Sequence, residues 1–94
     1  MNISDYQKQA TQSFSDAKTH SLMGAMYLAE EIGEVIRPLK RHYFRGYELD
    51  RDNLVEEMGD VLWALTQIAS AEGISLEEVL QKNLEKLQEA REGH

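Results

Sequence analysis

Apolar residues recur along this chain at steps of three and four, which is the spacing of one face of an α-helix. A thin apolar stripe predicts a first helix over about residues 3–18. The stripe consists of Tyr6, Ala10, Phe14 and Ala17. A second helix is predicted from Ser21, whose hydroxyl suits an N-cap. Pro38 lies within its pattern and lacks a backbone donor, so we expect this helix to kink or end there.

Two further helices are predicted after a connection that contains Gly46. The third begins at Asp50 or Asp52 and ends before Gly73, a residue type favoured just past a helix C-terminus. The fourth opens at Ser75, which forms a capping-box pattern with Glu78. Short connections favour antiparallel neighbours. The pattern therefore predicts an all-α fold, a four-helix, antiparallel, bundle-like single domain over residues 1–94.

Trp63 lies about 150° around the third helix from its main apolar stripe. Two interpretations stay open: a second buried surface, most simply a subunit interface, or a partly exposed ring against the fourth helix. A chain of 94 residues buries only about 60–65% of its unfolded surface. This modest core favours an oligomer, either a homodimer or a homotetramer.

Composition narrows the classes of protein. Hydrophobic residues make up 41% and charged residues 29% of the chain, as in a folded protein. The absence of cysteine excludes disulfides and thiolate zinc sites. No apolar run reaches the roughly 18–20 residues of a membrane helix, so we expect no membrane partner and a cytoplasmic location. The net charge of -7 argues against nucleic acid as a partner.

Half of the ten basic residues nevertheless fall within residues 37–51. This basic segment is a candidate site for the phosphates of a small anion. Lys40 is the best candidate within it, although a cation also suits a helix C-terminus for electrostatic reasons. That second explanation is the favoured one for Arg37 and Arg41.

The most informative feature is an acidic octapeptide that occurs twice. Residues 28–35 read Leu-Ala-Glu-Glu-Ile-Gly-Glu-Val, and residues 54–61 read Leu-Val-Glu-Glu-Met-Gly-Asp-Val. At 100° per residue, each copy presents two carboxylates along one edge of its apolar stripe, roughly 60° and 120° from it. They are Glu31 and Glu34 in the first copy, and Glu57 and Asp60 in the second. In antiparallel helices these edges can converge, and Gly33 and Gly59 would permit a close backbone approach.

Four converging carboxylates repel one another unless a cation lies among them. Hard oxygen ligands suit Mg²⁺, Mn²⁺ or Ca²⁺ better than zinc. A di-iron site is less favoured, because bundle proteins of that kind use Glu-x-x-His and the residues here are Glu34 and Asp60. A solvated acidic helix face is the plain alternative, and the repetition in register argues against it.

The pair Glu30-Glu31-x-x-Glu34 and Glu57-x-x-Asp60, joined by a short basic connection, resembles the MazG-type nucleotide pyrophosphohydrolases. The segment 56–63 and the element that contains Asn83 and Lys86 are also similar to that all-α family. The resemblance implies Mg²⁺-dependent cleavage of a nucleoside triphosphate between the α and β phosphates, with Mn²⁺ as a possible substitute. It implies that Glu31, Glu34, Glu57 and Asp60 are metal ligands, and that Asn83 and Lys86 contact the nucleotide.

The chain departs from the family pattern in its fourth helix. The family usually places an Arg seven residues after the Asn, where this chain has Ala90, with Arg91 following. A shift of one residue turns a helical side chain by about 100°, which leaves the contribution of Arg91 to substrate binding open.

Other candidates carry weaker signals. Glu30 points to a different side of its helix and could hydrogen-bond a ligand or orient a water, or be an exposed Glu. Phe14, Tyr27 and Tyr47 could stack on a base, although packing is the commoner role of an aromatic residue. His20 and His42 have no metal-ligand spacing.

Three hypotheses follow. The first is a nucleoside triphosphate pyrophosphohydrolase, with removal of noncanonical or surplus deoxynucleotides as one role. The second is a non-catalytic metal- or nucleotide-binding helical module that acts through a partner. The third, a phosphoribosyl-ATP pyrophosphohydrolase, shares the reaction type but has no residue that specifically favours it.

Overall fold

The computed structural model describes residues 1–12 and 17–93. Within these residues the chain forms four α-helices and no strand. They are α1 (Ile3–Ala10), α2 (Ala17–Tyr43), α3 (Arg51–Ala71) and α4 (Leu76–Glu92). The predicted all-α fold is confirmed.

The helix boundaries follow the capping signals where these are strong. The Asp50 carboxylate accepts a hydrogen bond from the Asn53 amide at 3.1 Å, and the Ser75 hydroxyl accepts one from the Glu78 amide at 3.1 Å. Gly73 has a φ of 70°, a left-handed conformation that glycine adopts without steric cost. The predicted starts of α3 and α4 are therefore confirmed.

The first half of the chain differs from the prediction. α1 ends at Ala10 instead of extending to about residue 18, and α2 begins at Ala17, before Ser21. α2 also continues through Pro38 to Tyr43. The proline leaves the Glu34 carbonyl without its usual donor, but the ring of Pro38 is buried, and packing of that ring offsets part of the cost.

α2 and α3 form an antiparallel hairpin, and the two helices lie close together at Gly24. A Cβ atom on Gly24 would lie 2.9 Å from Ile68 Cγ1 and 3.3 Å from the Ala64 carbonyl oxygen. The expectation that Gly33 and Gly59 permit the close approach is wrong, because a Cβ on either would meet nothing within 4 Å. Both glycines lie on the exposed side of their helices, whereas Gly24 faces α3.

Two glutamine side chains tie the short α1 to the rest of the chain. Gln7 donates to Ser70 Oγ at 2.9 Å and to the Ile74 carbonyl at 3.0 Å, and its Oε1 accepts from the Leu76 amide at 2.8 Å. The buried Gln67 donates to the Ala10 carbonyl at 3.0 Å. These side-chain amides connect α1 to α3 and to the start of α4.

Much of the apolar surface remains exposed. The chain has 7527 Å² of accessible surface, against about 5,500 Å² expected for a compact monomer of 10.8 kDa. Its radius of gyration is 16.0 Å, against about 12 Å expected. An apolar groove on the α2–α3 hairpin contributes to this surface. The groove is lined by Ile32, Val35, Ile36, Met58 and Val61.

Candidate metal and nucleotide site

The two octapeptides lie side by side on the antiparallel helices α2 and α3, as the repeat predicts. Carboxylate oxygens of Glu31, Glu57 and Asp60 all lie within 4.8 Å of one another. Glu31 and Glu57 are half-buried and Asp60 is exposed. We call these three residues the acidic cluster. Three carboxylates at this separation form a donor set that fits a hard divalent cation such as Mg²⁺ or Mn²⁺.

Glu34 is not part of the acidic cluster. Its carboxylate lies 3.7 Å from the guanidinium of Arg37, one turn further along α2. Both side chains are well exposed, Glu34 at 45% and Arg37 at 69%. The structure therefore brings together three of the four carboxylates predicted as ligands, and the fourth is paired beside them.

The acidic cluster has the electrostatic signature of repelling carboxylates. Desolvation raises the pKa of Glu31 above its usual value, and the negative charges of Asp60 and Glu57, followed by those of Glu34 and Glu30, raise it further. Each of these charges favours the neutral acid unless a cation is near. A bound divalent ion would reverse this effect, so the electrostatics fit the geometry.

Asn53 also belongs to the candidate site, although the sequence did not single it out. Its side-chain amide donates to Glu57 Oε1 at 3.4 Å, which orients this carboxylate from one turn below. The spacing of i and i+4 between the two residues in one helix was the available signal. Glu30, the neighbour of Glu31, lines a separate groove of about 210 Å³ beside Tyr27.

A polar cleft of about 500 Å³ lies at the connected end of the hairpin. Its walls are Arg37, Pro38, Arg41, Tyr47, Glu48, Asp50 and Asn53. The Arg41 guanidinium lies 4.8 Å from the centre of the Tyr47 ring, in cation–π geometry. His42 Nδ1 lies 2.7 Å from the Tyr47 carbonyl oxygen and so holds the same connection. Lys40 is exposed and does not line this cleft.

The predicted nucleotide contacts of α4 lie elsewhere. α4 packs mainly against α1, and its residues after Leu76 are exposed. Asn83 and Lys86 line a shallow groove on α4, and Arg91 is exposed in its last turn. Within one chain, the structure does not bring these three residues to the acidic cluster.

Tyr27 and His20, two further residues considered in the sequence, have partners within the chain. Tyr27 contacts Trp63 edge-on, with ring centres 6.1 Å apart, so the Trp63 ring meets α2. His20 Nε2 lies 3.1 Å from Gln67 Oε1. Phe14 lies outside the described residues.

Across the described residues, no helix combines the length and apolarity that crossing a membrane requires.

Comparison with known proteins agrees with this geometry. Residues 18–93 match the family described as the MazG nucleotide pyrophosphohydrolase domain. The chain is 36% identical over 75 residues to "Uncharacterized protein YvdC" of Bacillus subtilis (strain 168), which covers 65% of this chain and 66% of that protein. It is 42% identical over 43 residues to "Gene 37 protein" of Mycobacterium phage L5, covering 46% of this chain and 38% of that protein.

The aligned regions thus span at most about two thirds of the lengths of these curated relatives. No solved structure matches the chain significantly. The family match, however, extends over most of the chain and includes both octapeptides and the acidic cluster. This chain belongs to the MazG nucleotide pyrophosphohydrolase domain family.

Proposed function

We propose that this protein is a Mg²⁺-dependent nucleoside triphosphate pyrophosphohydrolase that converts a (d)NTP to the (d)NMP and pyrophosphate. The observation that carries the proposal is the acidic cluster, in which Glu31, Glu57 and Asp60 converge within 4.8 Å. A triphosphate is an anion, so carboxylates repel it. The acidic cluster can therefore bind a triphosphate only when metal ions lie between the carboxylates and the phosphates.

Each residue has a role that follows from its position. Glu31, Glu57 and Asp60 would hold the metal, and Glu34 would join them once it leaves Arg37. When bound, Mg²⁺ neutralises phosphate charge and lowers the pKa of a water molecule. Asn53 keeps the Glu57 carboxylate oriented through its hydrogen bond. Glu30 lines a separate groove, so its role in orienting the attacking water stays a prediction from the sequence.

We also propose that the protein acts as a homodimer or homotetramer. The chain exposes about 2,000 Å² more surface than a compact monomer of its mass, and a standard interface covers about 800 Å² per partner. α4 with Asn83 and Lys86 lies away from the acidic cluster of its own chain, so a second copy is the natural source of these contacts. Light scattering at micromolar concentration should return more than 10.8 kDa; a purely monomeric solution contradicts the proposal.

The activity is tested with a panel of canonical and noncanonical nucleotides, and phosphoribosyl-ATP, in the presence of Mg²⁺ and with pyrophosphate detection. Glu57→Gln should lower the rate by about 100-fold or more, because it removes a charged ligand. Glu56→Gln is the matched control, since Glu56 is exposed and outside the acidic cluster. The proposal fails if no nucleotide releases pyrophosphate.

A non-catalytic metal- or nucleotide-binding module is the second candidate. The separation of α4 from the acidic cluster favours it, because binding at three carboxylates does not require the contacts needed for turnover. Calorimetry followed by product analysis distinguishes the two. A pure binder would take up Mg²⁺-nucleotide and leave it intact.

A further inference from the structure

The polar cleft adjoins the two octapeptides that carry the acidic cluster. Arg37 lies one turn after Glu34 on α2, and Asn53 lies one turn before Glu57 on α3, so two cleft residues contact two octapeptide carboxylates. One helical turn is about 5 Å along the axis. The cleft therefore begins about one turn from the acidic cluster, and a ligand held there can reach a metal in the cluster.

The cationic groups of the cleft suit phosphate. Arg37 and Arg41 are four residues apart on α2 and line the same cleft. A guanidinium presents a planar set of donors that matches two phosphate oxygens at once. Arg41 is held over the Tyr47 ring, which restricts its position before any ligand arrives.

Arg37 can change partners at little cost. Its ion pair with Glu34 is exposed to solvent on both sides, and such pairs contribute little to stability. A phosphate that takes the Arg37 guanidinium leaves the Glu34 carboxylate without its cation. Glu34 is then available to the metal, so binding of phosphate and completion of the metal site favour each other.

The acidic residues of the cleft limit which anion it accepts. Asp50 is already engaged by the Asn53 amide, whereas Glu48 lines the cleft as a further negative charge. Two arginines and two carboxylates give the lining a formal charge of zero. Such a lining suits an anion that carries its own cation, as magnesium pyrophosphate does.

Resting on the function proposed above, we propose that the polar cleft binds the β and γ phosphates of the substrate, the part released as pyrophosphate, through Arg37 and Arg41. Arg37 exchanges Glu34 for phosphate when the substrate binds. The nucleoside then lies toward the opposite end of the hairpin. The pyrophosphate leaving group is then bound by arginines of α2, and Lys40 does not contact it.

The experiment measures binding of inorganic pyrophosphate in excess Mg²⁺ by calorimetry, with the full chain. Arg37→Gln and Arg41→Gln should each raise the Kd about tenfold or more, because a charge-assisted hydrogen bond is lost. Glu48→Gln should lower the Kd about twofold or more, because a like charge is removed. Arg45→Gln is the matched control, since it removes the same charge from the same segment but does not line the cleft; its Kd should stay within about twofold of that of the wild type.

Arg37→Lys guards against a folding defect, since it keeps the charge but loses the planar donor set. Its Kd should lie between those of the wild type and Arg37→Gln, with an unchanged circular dichroism spectrum. Equal affinities for all variants, or no binding of pyrophosphate to the wild type, overturn the inference.

The two proposals fail separately. Nucleotide cleavage by the wild type together with equal pyrophosphate affinities overturns the cleft assignment alone. The expected order of affinities in a protein that cleaves no nucleotide supports the cleft and overturns the proposed function.

Discussion

Glu31 has surroundings unlike those of an ordinary surface glutamate. It lies half-buried beside Glu57 and Asp60, and its pKa is raised by desolvation and by their charges. A carboxyl whose folded-state pKa is raised destabilises the fold when it is ionised. This loss of stability is present above the folded-state pKa. It is relieved as the pH falls through that pKa toward the ordinary value of 4.5.

Glu31→Gln should therefore raise the Tm of the metal-free protein at pH 7, because it removes an ionised carboxylate from a repelling group. The gain should shrink as the pH is lowered toward 4.5, because the raised pKa lets Glu31 of the wild type take up a proton before the ordinary value is reached. Thermal denaturation in the presence of a chelator checks this. In saturating Mg²⁺ the order should reverse, since the variant lacks a ligand. A metal-free Tm below that of the wild type at pH 7 would contradict the prediction.

At the scale of the helices, Gly24 lies close against α3 near the start of α2. A Cβ there would lie 2.9 Å from Ile68 Cγ1, so the neighbouring side chain would have to move. Gly33, in the same helix, has open space around its Cα. Substitution by alanine is therefore expected to have opposite effects on stability at these two glycines.

Gly24→Ala should lower the free energy of unfolding by about 1–3 kcal/mol through overpacking. Gly33→Ala should raise it by up to about 1 kcal/mol, because alanine favours the helix and nothing obstructs its methyl group. Urea denaturation of both variants measures the difference. Equal effects would show that Gly24 tolerates a methyl group and that the close approach does not constrain the hairpin.

α1 is a helix of eight residues whose attachment depends on hydrogen bonds from Gln7. Gln7→Ala should cost about 1–3 kcal/mol of stability, since the Leu76 amide loses its acceptor and the Ile74 carbonyl loses a donor. Gln9→Ala is the control, because Gln9 is exposed. Amide hydrogen exchange at Leu76 should rise only in Gln7→Ala.

At the scale of the whole molecule, the exposed apolar surface is the dominant feature. The apolar groove on the α2–α3 hairpin is open to solvent and includes Ile36, which is 46% exposed. A charge at an exposed position costs a monomer little, but buried in an interface it is expensive unless paired.

Ile36→Asp should therefore shift the proposed oligomer toward monomer while the helix content measured by circular dichroism is retained. Gln9→Asp introduces the same charge at an exposed position of α1 and should leave the mass unchanged. Sedimentation of both variants provides the measurement. An unchanged oligomer in Ile36→Asp would place the subunit contact on another apolar surface.

The parts of the fold that depend on local chemistry could be predicted. Asp50 and Ser75 cap their helices as expected, and the repeat located Glu31 and Glu57 beside each other, because helix periodicity and capping act over a few residues. Gly24 could not be identified, since the rotation of one helix against another depends on all their contacts. The same limit explains the wrong assignment of Gly33.

The candidate site likewise has a part that could be predicted from the sequence and a part that could not. The acidic cluster follows from two copies of one motif, whereas the cleft combines Arg37 and Arg41 with residues across the connection. Asp50 and Asn53 reach the cleft only because the chain reverses direction between the helices. No spacing along one helix could indicate such a cleft.

Two copies of one octapeptide on antiparallel helices are related by an approximate two-fold axis that passes between them. Under this rotation Glu31 corresponds to Glu57, and Glu34 corresponds to Asp60. A ligand on the axis therefore meets nearly equivalent carboxylates in either of two opposite orientations. The direction of a substrate along the hairpin must be set away from the axis, and the polar cleft occupies only the connected end. Under the proposed function, the asymmetric Arg37–Glu34 pair would therefore set the direction in which a substrate binds to this nearly symmetric site.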